Sequence, residues 1–213
     1  MQVDDVCQVS VATFSRLADR YAEKFFDLDI YDGYLDIFAE GIVQGGRVLD
    51  MACGPGNICA YLAKQRPDLR CVGVDLAEGM IEQARRRVLT ADFFLRDCRA
   101  LGELGPAFDA VAFGFGLSYL TDYDAAACFA SLDTALAPAA GLYLATMTGD
   151  PQRTGFESTS RGDRVHITYR RVADVMAVVE RAGFDIRLTE IVASPAMAAT
   201  QSHDLIIVAR RAS

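Results

Sequence analysis

The residues whose types and spacing could do chemistry are three aspartates and a glycine pair, set at intervals along the first half of the chain. In RVLDMACGPGN, residues 47–57, Asp50 closes an apolar run, and Gly54-Pro55-Gly56 follow before a helical stretch opens at Asn57. Glycine lets the backbone turn sharply and approach a ligand with no Cβ in the way. The start of a helix presents free N–H groups to a ligand's negative end. Alone, such a turn marks any glycine-rich strand–helix junction. The second feature is Asp75, which ends the next apolar run in VGVDLAEGM and could accept both hydroxyls of a ribose. The third is Asp97 in FFLRDCRAL, just after the third run, where an adenine amino group would lie. Their plainer roles are to cap a helix or close a turn. Features of this kind at three successive strand ends point to a ligand laid across the carboxyl edge of an open α/β sheet.

Such an edge requires strands alternating with helices. Strands are expected at Arg47–Met51, Cys71–Asp75, Asp92–Leu95, Phe108–Phe113, Leu142–Met147, Phe184–Val192 and Asp204–Ala209. Helices are expected at Asn57–Gln65, Ala77–Leu89, Asp122–Ala137 (stopped by Pro138) and Val172–Ala182 (closed by Gly183). Alternation of this kind implies crossovers onto a parallel sheet, and the early strands are apolar on both faces, as in a sheet covered on each side. Only residues 193–202 separate the last two strands, too few for a helical crossover, so these should form an antiparallel hairpin. Before residue 47, Val11–Glu40 reads as largely helical and aromatic, packing on the core or lidding a pocket.

At 213 residues with 52% hydrophobic content, the chain can bury the core of one globular domain. The net charge of −8 lacks the basic footprint of a duplex-binding protein, which makes nucleic acid an unfavoured partner. No apolar run is long enough for a membrane span. The start, MQVDDVCQVS, is acidic where a signal peptide would be basic, so a cytoplasmic location is expected. Six cysteines with no CxxC pair read as free buried thiols rather than as disulfides or metal ligands, and no metal site is expected.

Taken in order, VLDMACGPGN, VGVDLAEGMIEQAR, RDCRAL, FDAVAFGFGLSYL and LAPAAGLYL resemble the motifs of class I, Rossmann-like S-adenosylmethionine-dependent methyltransferases. The resemblance runs from about residue 45 to 147. It is strongest to small bacterial methyltransferase-domain proteins, which share a DLDIYD-like N-terminal segment and a GDR before the last helix. It implies a three-layer αβα sandwich with a seven-stranded, mostly parallel sheet, an antiparallel final strand and an N-terminal helical extension. The whole of 1–213 would be one domain: a helical cap at 1–44, a cofactor-binding core at 45–147, a substrate-side insertion at 148–170, and a C-terminal helix and hairpin at 171–213. The implied cofactor is S-adenosylmethionine. Asp50 would steer its amino group, with Ala52, Cys53, Gly54 and Gly56 passing the methionine moiety. Asp75 would bind the ribose, Leu76 and Met80 would pack on the adenine, and Asp97 with the backbone at Cys98 would read the adenine edge. The stretch Phe113–Phe115 would line the sulfonium side. One departure is Ala52, which replaces the family's first glycine and is tolerable if its φ stays negative.

The fourth strand lacks the Asn/Asp-Pro-Pro-aromatic signature of enzymes that methylate base or amide nitrogens, so the expected acceptor is a small molecule. Candidates for a base are Tyr119, His166 and His203, with a structural or surface role the plainer expectation for both histidines. Arg153, Arg161, Arg164, Arg170 and Arg171, in or beside the long connection 148–170, could recognise an anionic acceptor or simply be solvated. A nicotinamide-dependent oxidoreductase is the competing enzyme, but its fingerprint wants a third glycine where Cys59 stands. A non-catalytic S-adenosylmethionine-binding protein would carry the same motifs. Neither the acceptor's identity nor the oligomeric state is legible in the sequence.

Overall fold

The computed structural model describes residues 6–102, 104–105, 107–158, 162–198 and 202–212. Two helices, α1 (Val6–Phe25) and α2 (Asp32–Glu40), precede the alternating region. There follow β1 (Arg47–Met51), α3 (Asn57–Gln65), β2 (Arg70–Asp75), α4 (Glu78–Arg87), β3 (Asp92–Leu95), β4 (Phe108–Gly114), α5 (Asp122–Ala135) and β5 (Leu136–Thr148). A short hairpin, β6 (Gly155–Ser158) and β7 (Arg164–Ile167), leads to α6 (Val172–Arg181), β8 (Phe184–Ala193) and β9 (His203–Arg211).

Seven strands form one sheet in the order β3-β2-β1-β4-β5-β9-β8, and β6 pairs with β7 in a separate ribbon. The pairs from β3 through β5 are parallel, whereas β9 runs antiparallel to both β5 and β8. This is the expected sandwich with a reversed final strand. Successive residues of a strand face opposite ways, and the packing follows that rule. Leu49 and Met51 of β1, Leu142 and Leu144 of β5, and Leu205 and Ile207 of β9 share one core with Phe129 and Leu132 of α5 and Val175 and Val179 of α6. Val48, Tyr143, Ala145, Ile206 and Val208 face the other way, onto Phe38 of α2, Leu62 of α3 and Ile81 of α4.

Several boundaries differ from expectation, most by a residue or two. The helix expected to reach Ala137 ends at Ala135, and Pro138 lies inside β5. A proline disfavours helical geometry at the residue before it, so the chain is already extended at Ala137. Pro138 is accommodated where the β4–β5 register shifts, next to Ala139 with φ 57°. The helix expected over Ala77–Leu89 occupies only Glu78–Arg87. The N-terminal segment divides into two helices at residues 26–31, where the polar DLD sequence interrupts the apolar pattern. All six cysteines are buried and unpaired as disulfides.

Candidate functional site

The carboxyl edge of the parallel strands opens into a cavity of about 1260 Å³. Single-ligand pockets run to about 300–1,000 Å³, so there is room for two molecules. A smaller cavity of about 100 Å³ adjoins it, and Phe14, Tyr21, Ala52, Gly54, Phe115 and Tyr119 line both.

The loop between β1 and α3 forms the floor. Ala52, Gly54 and Gly56 have φ of 51°, 54° and 88°, so Ala52 occupies the left-handed region and the expected negative φ does not hold. The turn is closed by the Gly56 N–H donating to the Cys53 carbonyl at 3.0 Å and is held to β2 by the Cys53 N–H on the Val74 carbonyl at 3.0 Å, with Ala52 at its entry. The two glycines serve different ends. Nothing lies within 4 Å of where a Cβ on Gly54 would stand, so its backbone faces the open cavity. At Gly56 a Cβ would press on Phe93 and Val88, so that residue lets α3 pack against its neighbours and lines neither cavity.

Asp50 is 1% exposed and lines the large cavity. One carboxylate oxygen accepts from the Cys59 thiol at 3.4 Å, and the other has no partner. Burial, with the charge of Asp75 nearby, pushes the carboxyl up to about 7. Asp75 accepts the Gly54 N–H at 2.9 Å on one oxygen and the Ala77 N–H at 2.8 Å on the other. The cap reading and the ligand reading of Asp75 thus describe one side chain, which ties the glycine loop to the start of α4 and still faces the smaller cavity. Leu76, Met80, Asp97 and Cys98 line that cavity too. Asp97 is held by Arg99 through contacts of 2.7–3.0 Å, and Arg99 reaches on to Asp124 at 2.9 Å.

Phe113 is not brought to the site. It is 1% exposed and packed in the core, and Gly114 and Phe115 stand at the cavity instead. Phe115 has φ 64°, which turns its ring out to lie 5.3 Å from that of Tyr31. Gly116 is needed beside it, since a Cβ there would collide with Phe113 and Ala52.

Of the candidate bases, Tyr119 lines both cavities with its ring 4.7 Å from Phe14, and burial raises its hydroxyl far above the ordinary range. His166 lines neither. Its backbone N–H donates to Ser10 Oγ at 3.0 Å, its ring packs edge-on against Phe156, and burial lowers its pKa. His203 opens β9 on the expected edge, but it is exposed and the pleat turns it away. The inward position belongs to Asp204, which sequence reasoning missed. Asp204 is 1% exposed, lines the large cavity and accepts from the Tyr31 hydroxyl at 2.7 Å. The available signal was an acid sharing the pleat parity of buried Ile206 and Val208 in DLIIV.

The described arginines of 153–171 do not converge on the cavity. Arg153 and Arg164 stack on Tyr169 and Phe156, and Arg171 pairs with Asp174. Arg170 is buried, donating to the Leu117 and Leu120 carbonyls and to Asp122. Arg161 lies outside the described residues.

Above the floor, α1 is held between α4 and the β6–β7 ribbon. Ser15 Oγ accepts the Gly79 N–H at 2.9 Å, Thr13 donates to the Arg164 carbonyl at 2.7 Å, and Arg16 pairs with Asp163 at 2.6 Å. Phe14, Leu17 and Tyr21 of this helix face the cavity. Among the described residues no cluster of His, Cys, Asp or Glu could hold a metal ion.

Residues 48–139 match the model of the family described as methyltransferase domain. A demethylmenaquinone methyltransferase of Thermotoga maritima is 30% identical over 117 residues, half of each chain. A malonyl-[acyl-carrier protein] O-methyltransferase of Geobacter sulfurreducens is 34% identical over 161 residues, 70% of this chain and 58% of that protein. The chain thus spans half, or little more, of these relatives' length. Among solved structures, magnesium protoporphyrin IX methyltransferase from Synechocystis PCC 6803 superposes with a TM-score of 0.71 at 19% identity, covering 98% of this chain and 100% of that one. A methyltransferase from Methanosarcina mazei gives 0.72 at 14% identity, covering 82% and 96%. The fold is that of the class I, Rossmann-like methyltransferases. Within it, residues 48–139 are the part that matches the methyltransferase-domain family.

Proposed function

We propose that this protein is an S-adenosylmethionine-dependent methyltransferase acting on a small-molecule acceptor, with 45–147 as its cofactor-binding core and 1–44 and 148–170 closing the site. The observation that carries this reading is the unpartnered, buried oxygen of Asp50 beside an open glycine loop, one strand away from Asp75. A buried carboxylate left without a partner is costly, and a ligand's ammonium would remove that cost. The donor set therefore fits S-adenosylmethionine. Asp50 would take the amino group, and Gly54 would let the methionine chain pass. The remaining lone pairs of Asp75 would take the ribose hydroxyls, with Leu76, Met80, Asp97 and Cys98 around the adenine.

When bound, that cofactor supplies an electrophilic methyl group on a sulfonium. The chain's own work is then to orient the acceptor and exclude water, which is where most rate enhancement in such a transfer would arise. Phe115, Tyr119 and Tyr143 give the cavity an aromatic wall, while α1 and the β6–β7 ribbon shield it. A small acceptor suits a cavity enclosed in this way and a chain of net charge −8. Among the described residues no helix is long and apolar enough to cross a membrane.

The test is calorimetric titration with S-adenosylmethionine and with NADPH, followed by transfer of labelled methyl groups onto a metabolite panel. Binding of the first ligand alone, with turnover, is the expected result. Binding of NADPH alone would overturn the reading, and binding without turnover on any acceptor would leave a cofactor-binding protein.

A further inference from the structure

The large cavity holds a second buried carboxylate that the cofactor would not reach. Along the sheet edge, Asp75 ends β2, Asp50 lies one residue before the end of β1 and Phe115 follows β4, while Asp204 is the second residue of β9 beyond β5. Three strand spacings separate β1 from β9, roughly 14 Å, so one amino group cannot be shared by Asp50 and Asp204. The Tyr31 hydroxyl donates to one oxygen of Asp204 at 2.7 Å, and the other oxygen is buried with no partner. The surrounding wall is aromatic, with the Tyr31 ring tilted against that of Phe115 at 5.3 Å and Tyr143 also in the lining.

Resting on the methyltransferase reading, we infer that Asp204 is the acceptor-recognition residue and that the acceptor carries an amine, bound as an ammonium on the free oxygen of Asp204. A buried, half-satisfied carboxylate among aromatic faces is the complement of an organic cation, which gains both a charge-assisted hydrogen bond and contact with ring faces. An anionic acceptor would meet the opposite field. Acidic side chains outnumber basic ones in the lining, and its basic members, Arg20, Lys24 and Lys64, are exposed at the rim. Burial also holds the Asp204 carboxyl above the ordinary carboxylate range, offset only in part by the Tyr31 hydroxyl, the neighbouring Ser202 hydroxyl and the nearby His203. A bound cation would bring it back down.

The experiment loads the full chain with S-adenosylhomocysteine and then titrates benzylamine, benzyl alcohol and benzoate at pH 8. The expected order is benzylamine first, benzyl alcohol weaker and benzoate undetectable. Asp204→Asn should weaken benzylamine at least tenfold while S-adenosylhomocysteine affinity changes less than twofold. Benzoate or benzyl alcohol binding as well as benzylamine, no benzylamine binding, or an Asp204→Asn protein that keeps it would each overturn the inference. If that variant loses S-adenosylhomocysteine as well, the wild-type order of the three probes decides alone. If the wild type binds no S-adenosylhomocysteine, the methyltransferase reading fails instead, and titration of the three probes onto the free protein still tests Asp204.

Discussion

Beneath the cavity, β1 lies hydrogen-bonded between β2 and β4, with Leu49 and Val74 wholly buried and both carboxylate oxygens of Asp75 engaged by backbone N–H groups. Above it, α1 is held by a different kind of contact: a few side-chain hydrogen bonds, an ion pair with Asp163 and a small cluster around Ala18, Ala77 and Met80. The floor is built from cooperative ladders and a large core, and the roof from contacts that can each be lost separately. Elements with few buried apolar contacts open at lower free energy than the global fold. In the proposed function the floor is the layer that positions the cofactor and the roof the layer that opens for exchange.

The comparison can be broken most severely at Asp75. Replacing it by Ala should weaken S-adenosylmethionine at least about 100-fold, since two charge-assisted hydrogen bonds to a ligand are each worth roughly 1.5–3 kcal/mol. Calorimetry on a variant with unchanged circular dichroism checks this, and unaltered affinity would dismiss the floor as the cofactor site.

Asp50 offers the next largest effect. Its carboxyl titrates at about 7 in the folded free protein, against an ordinary 3.8. Over that window the folded state keeps a proton that the unfolded chain has released, so this group lowers stability as pH rises from about 4 to 7. A ligand ammonium needs the ionised form. Affinity for S-adenosylmethionine should therefore climb up to about tenfold per pH unit below 7, then turn over near 8 as the ligand's own α-amino group deprotonates. Asp50→Asn should flatten the acid limb, and an unchanged profile would remove Asp50 from the ammonium site.

The roof is tested at Gly79, where a Cβ would run into the carbonyl of Ser15. Gly79→Ala should cost about 1–3 kcal/mol as an overpacked contact, and should speed hydrogen exchange in α1 more than in β1 or β4. Equal acceleration in both layers would erase the distinction drawn between them.

The smallest effect is expected in the floor. Ala52 sits at φ 51° where glycine would be unstrained, so Ala52→Gly should stabilise the protein by about 1 kcal/mol, given a left-handed cost of roughly 1–2 kcal/mol for non-glycine residues. For a chain of this size that is about 2–4 °C in Tm. A lower Tm would show that the strain is relieved elsewhere.

Legibility in the sequence followed the same division. The strands β1 and β3 and helix α3 were readable to the residue, because short β-rich runs and glycine, proline and aspartate punctuation are local signals. The aspartates at the strand ends and the loop around Gly54 were readable for the same reason. Phe113 was misplaced because motif position says which strand a residue ends but not which side of the pleat it takes. The β6–β7 ribbon was visible only as a connection too long for a simple loop. Its role as a clamp on α1 depends on Thr13 and Arg16 meeting Arg164 and Asp163 across some 150 positions.

What the sequence by itself determined is the alternating order of elements, the floor residues Asp50, Gly54 and Asp75, and the antiparallel last strand, since periodicity and loop length act over neighbouring residues. The tertiary structure alone decided that Asp204 faces inward where His203 does not. It also decided that Tyr31 meets Asp204 across 173 residues of chain, and that Arg153, Arg164, Arg170 and Arg171 engage neighbouring rings, carbonyls and carboxylates instead of the cavity. Those outcomes depend on strand register and on which buried polar atoms find partners, and both are settled only when distant segments close on one another.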